Sequence, residues 1–455
     1  APLETRDVEA LREELGLSFL WRLDFAEVFS EKGGFDVVIA NPPYIEQRRL
    51  SRTQKDQLKL AFPSVYDGYA DLYVYFYGLA LMILAYDGVV TFISSNKFLR
   101  AGYGTALRKR LQEKTRIRML IDFGDMPIFE ATAYPCIVVA CKRRIAEPAQ
   151  AFRALNVQDV SSLEHLATSV YNEGWFQPQR SLRPEKWMLE IPEVLLLVEK
   201  LGHTGTCLQD YTDGGFYRGV TTGLNDAFVI SRATRDRLVA RDPRSAEIIR
   251  PWLRGRDIKR WKIEWPGLDF IYVPWGLPVE EYPAVYEHLK QFRRRLAQRP
   301  EVRQGRFPWY ALSRYASEYV EEFEKPKIVW AKYGIEPAFA YDYDCHFCGN
   351  TVFILATDQL WLVGILNSRV IQWFAGHTFN IVRGGYIEWI PANAEKLPIP
   401  NATVEQRSAV KRLVNSLLDA HGSGPDVASV EQELNALVYK LYGLTEEEIA
   451  IVEGR

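Results

Sequence analysis

The run Phe35-Asp36-Val37-Val38-Ile39-Ala40 stops at Asn41-Pro42-Pro43-Tyr44, and no other stretch of the chain constrains the fold as tightly. A Val- and Ile-rich run that halts at consecutive prolines reads as a buried parallel strand ending in a rigid turn. Open α/β sheets bind their ligands beyond the carboxyl ends of such strands, which places Asn41 at the mouth of a crevice. The residue types suit a planar nitrogen nucleophile. An NH2 group needs acceptors for its hydrogens, which the Asn41 side-chain oxygen and the Pro42 carbonyl supply, while Tyr44 offers a face on which a ring can stack.

Periodicity extends the pattern. Apolar strands at 35–40, 89–94, 119–123 and 136–142 alternate with helical segments at 71–85 and 105–113, the signature of a doubly wound α/β sheet over residues 1–150. The connection 44–68, rich in Gln, Arg and Ser, is of the kind that covers a substrate cleft. Over 151–192 the pattern weakens, and Pro178, Pro184 and Pro192 mark a bridging region. Residues 193–400 mix short strands (227–231, 270–273, 327–331, 351–356) with a few helices, an α+β domain. The tail, 401–455, is helical and amphipathic, with Leu413, Leu417 and Leu418 on one face and Leu434, Leu437, Val438 and Leu441 on another.

The motif and its surroundings resemble a known family. Phe35 to Tyr44 looks like the catalytic motif of amino-methyltransferases, most closely the gamma-class N6-adenine DNA methyltransferases of the type IIG restriction-modification group. Trp21 to Phe29 upstream and Asp71-Leu72-Tyr73 downstream match the same group. Beyond residue 200, Gly214-Gly215-Phe216, Gly223-Leu224-Asn225, Trp252 to Ile258, Leu366-Asn367-Ser368 and Leu397 to Pro400 resemble the Taq-type C-terminal specificity domain. The resemblance implies the latter half of a Rossmann-like methyltransferase sheet, followed by an α+β target-recognition domain and the helical tail. It further implies S-adenosylmethionine as cofactor, double-stranded DNA as partner, and Asn41, Pro42, Pro43 and Tyr44 as catalytic residues. Phe129 would close the other face of an extruded base, and Asp24 and Asp71 fall at cofactor-contacting positions. The alternatives are a non-catalytic DNA-specificity module and a protein-glutamine methyltransferase, which uses the same motif on a planar amide. Cys136, in Tyr134-Pro135-Cys136, is not read as a nucleophile, because an amine that already carries a lone pair needs no covalent activation.

The family's glycine-containing cofactor loop is not found ahead of Asn41, where Gly33-Gly34 is the sole glycine pair. The expectation is therefore the C-terminal portion of a longer enzyme, whose N-terminal remainder would supply the cofactor loop and carry any nuclease domain. A net charge of −2 does not advertise a DNA-binding chain, but basic residues concentrate at 108–118, 250–262 and 290–306. In the second of these Trp252 and Trp261 interleave with Arg254, Arg256, Lys259 and Arg260, a combination that suits a nucleic-acid surface. Arg383, beside Gly384-Gly385, joins them as a candidate DNA contact on a glycine-freed loop. Five cysteines at irregular spacing argue against a disulfide framework. Cys345-His346-Phe347-Cys348 lacks a second ligand pair, so no metal site is expected. With no secretory segment and no apolar run long enough to span a bilayer, the chain is expected in the cytoplasm, away from membranes.

Overall fold

Gly33 and Gly34 set the entry to the first strand. Gly33 caps the helix Ala26–Lys32 in the left-handed region at φ 75°, and a Cβ on Gly34 would lie 2.4 Å from the carbonyl oxygen of Ile83. Only glycine lets the chain turn there against the end of the helix Tyr73–Ile83. β1 (Phe35–Ala40) follows with the expected bounds. The computed structural model describes residues 19–124, 126, 128–129, 134–144, 150–157, 159, 163–382 and 384–455, in two compact units, 1–196 and 197–455.

In the first unit β1 pairs in parallel with β2 (Leu84–Ser95), Val38 opposite Val90. The remaining strands are β3 (Thr115–Asp122), β4 (Pro135–Lys142), β5 (Ala151–Asn156) and β6 (Trp175–Pro178). Their order is β1-β2-β4-β3-β5-β6. β4 runs antiparallel between β2 and β3, so β1, β2 and β3 all point one way. Helix Tyr73–Ile83 crosses from β1 to β2 and helix Thr105–Lys114 from β2 to β3, the strand–helix alternation read from the sequence, but both crossovers step the same way and the two helices share one core, so these helices do not show the doubly wound arrangement expected. The first of these helices is buried almost all round, which explains its run of aromatic and aliphatic residues without a polar face.

Two features differ from the sequence reading. β1 is parallel but not buried: among the described residues it forms the sheet edge, with Val37 53% and Ile39 75% exposed. The stretch 151–192 is not a bridge but part of the first unit, supplying β5 and β6 and burying Leu182, Trp187 and Leu189 in its core. Its prolines bound short elements rather than a linker, Pro178 closing β6 and Pro192 opening the helix Pro192–Gly202.

The second unit has two cores. One covers one face of an antiparallel sheet of Phe216–Arg218, Lys327–Ala331, Phe339–Asp342 and Val352–Leu355, whose other face, with Val329, Ala340 and Ile354, belongs to the second core. The other includes the sheet of Val229–Ser231, Ile249–Leu253, Leu268–Ile271 and Phe347–Cys348. The run expected as a strand from residue 227 begins as a short helix, Asn225–Phe228, and turns extended only at Val229. The tail helices Val404–Asp419 and Val427–Leu441 insert Val410, Val414, Leu434 and Val438 into the first of these cores, against Trp361–Leu366. Gly364 permits that approach, since a Cβ there would lie 2.8 Å from Val414 and 2.9 Å from Val410. Among the described residues no helix is long and apolar enough to cross a membrane.

Candidate active site

Asn41 lies immediately past the carboxyl end of β1, exposed, with Pro42 buried behind it. Its side chain makes no hydrogen bond to another described residue, so both its carbonyl and its amide are available. The segment after the motif is tied to the start of the helix Tyr73–Ile83. The Leu72 amide donates to the Ile45 carbonyl at 2.9 Å, and the Gln47 amide to Asp71 Oδ1 at 3.0 Å. Tyr44 is half-buried, its hydroxyl 3.4 Å from the Ile93 carbonyl, and desolvation, with nearby Cys136, pushes its phenol up to about 12. It is therefore a neutral ring at any working pH. Phe129 stands 6.1 Å from it, centroid to centroid, at 52°. The structure thus brings together Asn41, Pro42, Tyr44 and Phe129 at one end of the sheet.

Two residues at the same end escaped the sequence reading. Asp122 closes β3 and is buried; its Oδ1 accepts from Asn96 Nδ2 at 2.6 Å and from the Gly124 amide at 3.0 Å, and its Oδ2 faces Arg100 at 3.7 Å. It shapes the turn that leads toward Phe129. Asn96 directly follows β2. The available signal was positional: a polar residue at the carboxyl end of each apolar strand, as at Asn41. Cys136 is fully buried in β4, and burial pushes its thiol up, the environment of an inert rather than a nucleophilic cysteine.

The two carboxylates assigned to a cofactor have protein partners. Asp24 Oδ2 accepts from the Leu20 amide at 2.6 Å, and Asp71 holds the Gln47 amide. The edge of β1 beside them presents the exposed Val37 and Ile39.

The candidate DNA contacts separate into different environments. Arg256 and Lys259 are exposed. Arg254 is partly buried, its Nε and Nη2 donating to Asp257 at 2.9 and 2.8 Å. Arg260 departs from the expectation: it is 18% exposed, ion-paired with Glu431 at 3.1 Å and packed over Trp261, and desolvation lowers its pKa despite Glu431 and Glu336. Trp252 and Trp261 do not form a nucleic-acid face. Trp252 is buried and stacks on Phe270 at 4.4 Å, and Trp261 is buried with its indole N–H on Glu431 at 2.6 Å. Apolar area outweighs sequence neighbourhood here, and the arginines between them were no guide to which way the rings point. Arg383 lies outside the described residues; Gly384 and Gly385 beside it both have positive φ, 83° and 75°. In the other basic segments Arg108 is fully buried and serves the carbonyls of Ala101, Pro184 and Glu185, while Arg299 holds those of Thr222 and Trp309.

Residues 6–129 match the Eco57I restriction-modification methylase family, and residues 250–399 match the TaqI-like C-terminal specificity domain. The chain is 22% identical to the type II methyltransferase M.BstVI of Geobacillus stearothermophilus, over 95% of this chain and 77% of the relative. It is 25% identical to the type II methyltransferase M.XhoI of Xanthomonas vasicola, over 98% of this chain and 81% of the relative. Against the type II restriction enzyme and methyltransferase RM.Eco57I of Escherichia coli it is 29% identical, over 37% of this chain and 17% of the relative. The fold is similar to that of the type IIL restriction-modification enzyme MmeI, solved in complex with DNA. The TM-score is 0.64 at 11% identity, over 98% of this chain but 62% of that one. With a methylase match followed by a specificity-domain match, the chain is similar in domain order and over most of its length to type II restriction-modification methyltransferases.

Proposed function

We propose that this chain holds the target-base site and the specificity domain of a DNA methyltransferase acting on the N6 amine of adenine. The observation that carries the reading is the free Asn41 side chain beside the aromatic pair Tyr44 and Phe129, at the carboxyl end of a parallel strand. An amine inside a duplex cannot be approached in line, so the base must leave the stack. Asn41 Oδ1 and the Pro42 carbonyl then accept its two hydrogens, which turns the nitrogen lone pair outward, and the two rings enclose the base. Alignment of this kind carries much of the acceleration in a transfer between two bound groups. S-adenosylmethionine is the methyl donor that the family implies. We read the bare apolar edge of β1 as the seat of a further segment of the enzyme that completes its pocket. In this reading residues 197–455 discriminate among DNA sequences, because one pocket for one base cannot.

Long-read sequencing of DNA from cells that make the enzyme detects methylated adenine directly. Methyladenine at one fixed sequence is expected, and its complete loss in Asn41→Ala with DNA binding retained. Methylated cytosine in its place, or wild-type methylation by Asn41→Ala, would overturn the reading.

A further inference from the structure

We propose that the recess around Arg254 in the second unit grips the DNA backbone, with Arg254 and Arg256 on neighbouring phosphodiesters rather than on base edges. This rests on the methyltransferase reading and deepens it by giving one cleft a ligand. Arg254 sits between two adjoining concavities. One, of about 370 Å³, is lined by Thr221, Asn225, Arg254 and Asn350; the other, of about 430 Å³, by Arg254, Arg256, Lys332 and Thr351. No carboxylate is among the described residues that line either.

The donors are already oriented. Asp257, buried behind Arg254, accepts from its main-chain N–H at 2.9 Å and from Nε and Nη2 at 2.9 and 2.8 Å. One edge of the guanidinium is thereby fixed, and the edge formed by Nη1 and the outer hydrogen of Nη2 is left as a rigid fork, the geometry that matches two phosphate oxygens. Asn225 Oδ1 accepts from Thr222 Oγ1 at 2.7 Å, which leaves the Asn225 amide hydrogens for the cleft. Gly255 keeps the wall tight, since a Cβ there would lie 3.3 Å from Ala331 Cβ and 3.5 Å from the Thr351 carbonyl. Arg256 is exposed and makes no ion pair with any described residue. Shape decides between phosphate and base. Base edges lie at the floor of a groove and are reached by protein elements that protrude, whereas Arg254 is recessed and only the backbone stands out far enough from a duplex to reach it.

Anisotropy titrations over a salt series, on a duplex carrying the methylated sequence and on a scrambled one, test the assignment. Arg254→Ala and Arg256→Ala are each expected to weaken both duplexes by the same factor, roughly tenfold, and to lower the slope of log affinity against log salt by about one. Arg254→Lys, which keeps the charge but not the fork, should weaken binding with the slope retained. A single methylphosphonate placed along the duplex should cost the wild type affinity at one position where it costs Arg254→Ala nothing further. A variant that relaxes the methylated sequence at one base pair would make its arginine a base reader and overturn the proposal, as would wild-type affinity and slope in both alanine variants. Should Arg254→Ala fold poorly, Arg256→Ala and Arg254→Lys decide. A wild-type enzyme that binds no duplex at any salt would instead sink the methyltransferase reading itself.

Discussion

Tyr44 and Phe129 are close enough to touch each other. A base held between two rings needs them about 7 Å apart, twice the carbon–carbon contact distance, so their 6.1 Å separation requires one ring to give way on entry. Tyr44 is held by burial and by a long 3.4 Å hydroxyl contact, so on the proposed reading Phe129 is the ring expected to yield. Stacking is worth about 1–3 kcal/mol per base, and it belongs to the ring rather than the hydroxyl. Tyr44→Phe should therefore bind a target duplex nearly as the wild type does, and Tyr44→Ala should lose about 1–3 kcal/mol. The readout is the fluorescence of 2-aminopurine at the target position, which rises when the base leaves the stack. A phenol pushed up to about 12 adds no pH dependence near neutrality, so both Tyr44 and Tyr44→Phe should give the same pH profile. The placement of Asn41 and Tyr44 just past the end of β1 was legible because strand and turn coincide in consecutive residues. Asp122 and Asn96 were not, because their meeting depends on β4 threading between β2 and β3.

At the scale of elements, the pair Lys327–Ala331 and Phe339–Asp342 shows what burial does to a charge. Their register sets Lys327 opposite Asp342, both fully buried, with Nζ on Oδ2 at 2.8 Å and His346 Nδ1 on Oδ1 at 2.7 Å. Desolvation opposes the charged carboxylate, but His346 and Lys327 outweigh it and hold Asp342 below its ordinary 3.8. A depressed carboxyl contributes stability that is present above its unfolded pKa and is lost as pH falls through the folded one, so this contribution should fade below about pH 4. Removing Asp342 leaves the Lys327 ammonium buried and unpaired, and Asp342→Ala should destabilise the second unit by about 3–5 kcal/mol in denaturant unfolding. The double replacement Lys327→Met with Asp342→Leu should recover much of that loss. The strand 327–331 was read to the residue, because a continuous apolar run needs no knowledge of its partner. The role of His346 was hidden inside Cys345-His346-Phe347-Cys348. Its carboxylate partner stands four residues back, and the turn that joins them puts Cys345 at φ 58°. The buried faces of Trp252 and Trp261 were equally invisible, since a five-residue strand does not declare which side its sheet will cover, and Trp261 is turned inward by a hairpin turn at φ 67°.

At the scale of the molecule, the order of domains was legible from spaced motifs, whereas the boundary near residue 196 was not. Of the prolines that looked like a linker, Pro178 proved to close a strand of the first sheet, Pro184 to lie in a turn and Pro192 to open a helix. On the proposed reading this polypeptide, taken alone, should bind S-adenosylmethionine weakly or not at all, because Asp24 and Asp71 are engaged with main-chain amides and β1 has no outer neighbour among the described residues. Calorimetric titration checks this, and micromolar affinity would contradict it. The same uncovered strand has a colloidal consequence. A β-edge flanked by the exposed Val37 and Ile39, and without a further partner strand among the described residues, is a template on which another copy can dock its own edge, and Lys32 and Asp36 beside it are paired with each other at 2.6 Å. Stock solutions of this polypeptide should grow in scattering intensity with concentration and time, and Ile39→Lys, which places an unpaired charge on that rim, should keep them clear without altering the melting temperature of the second unit.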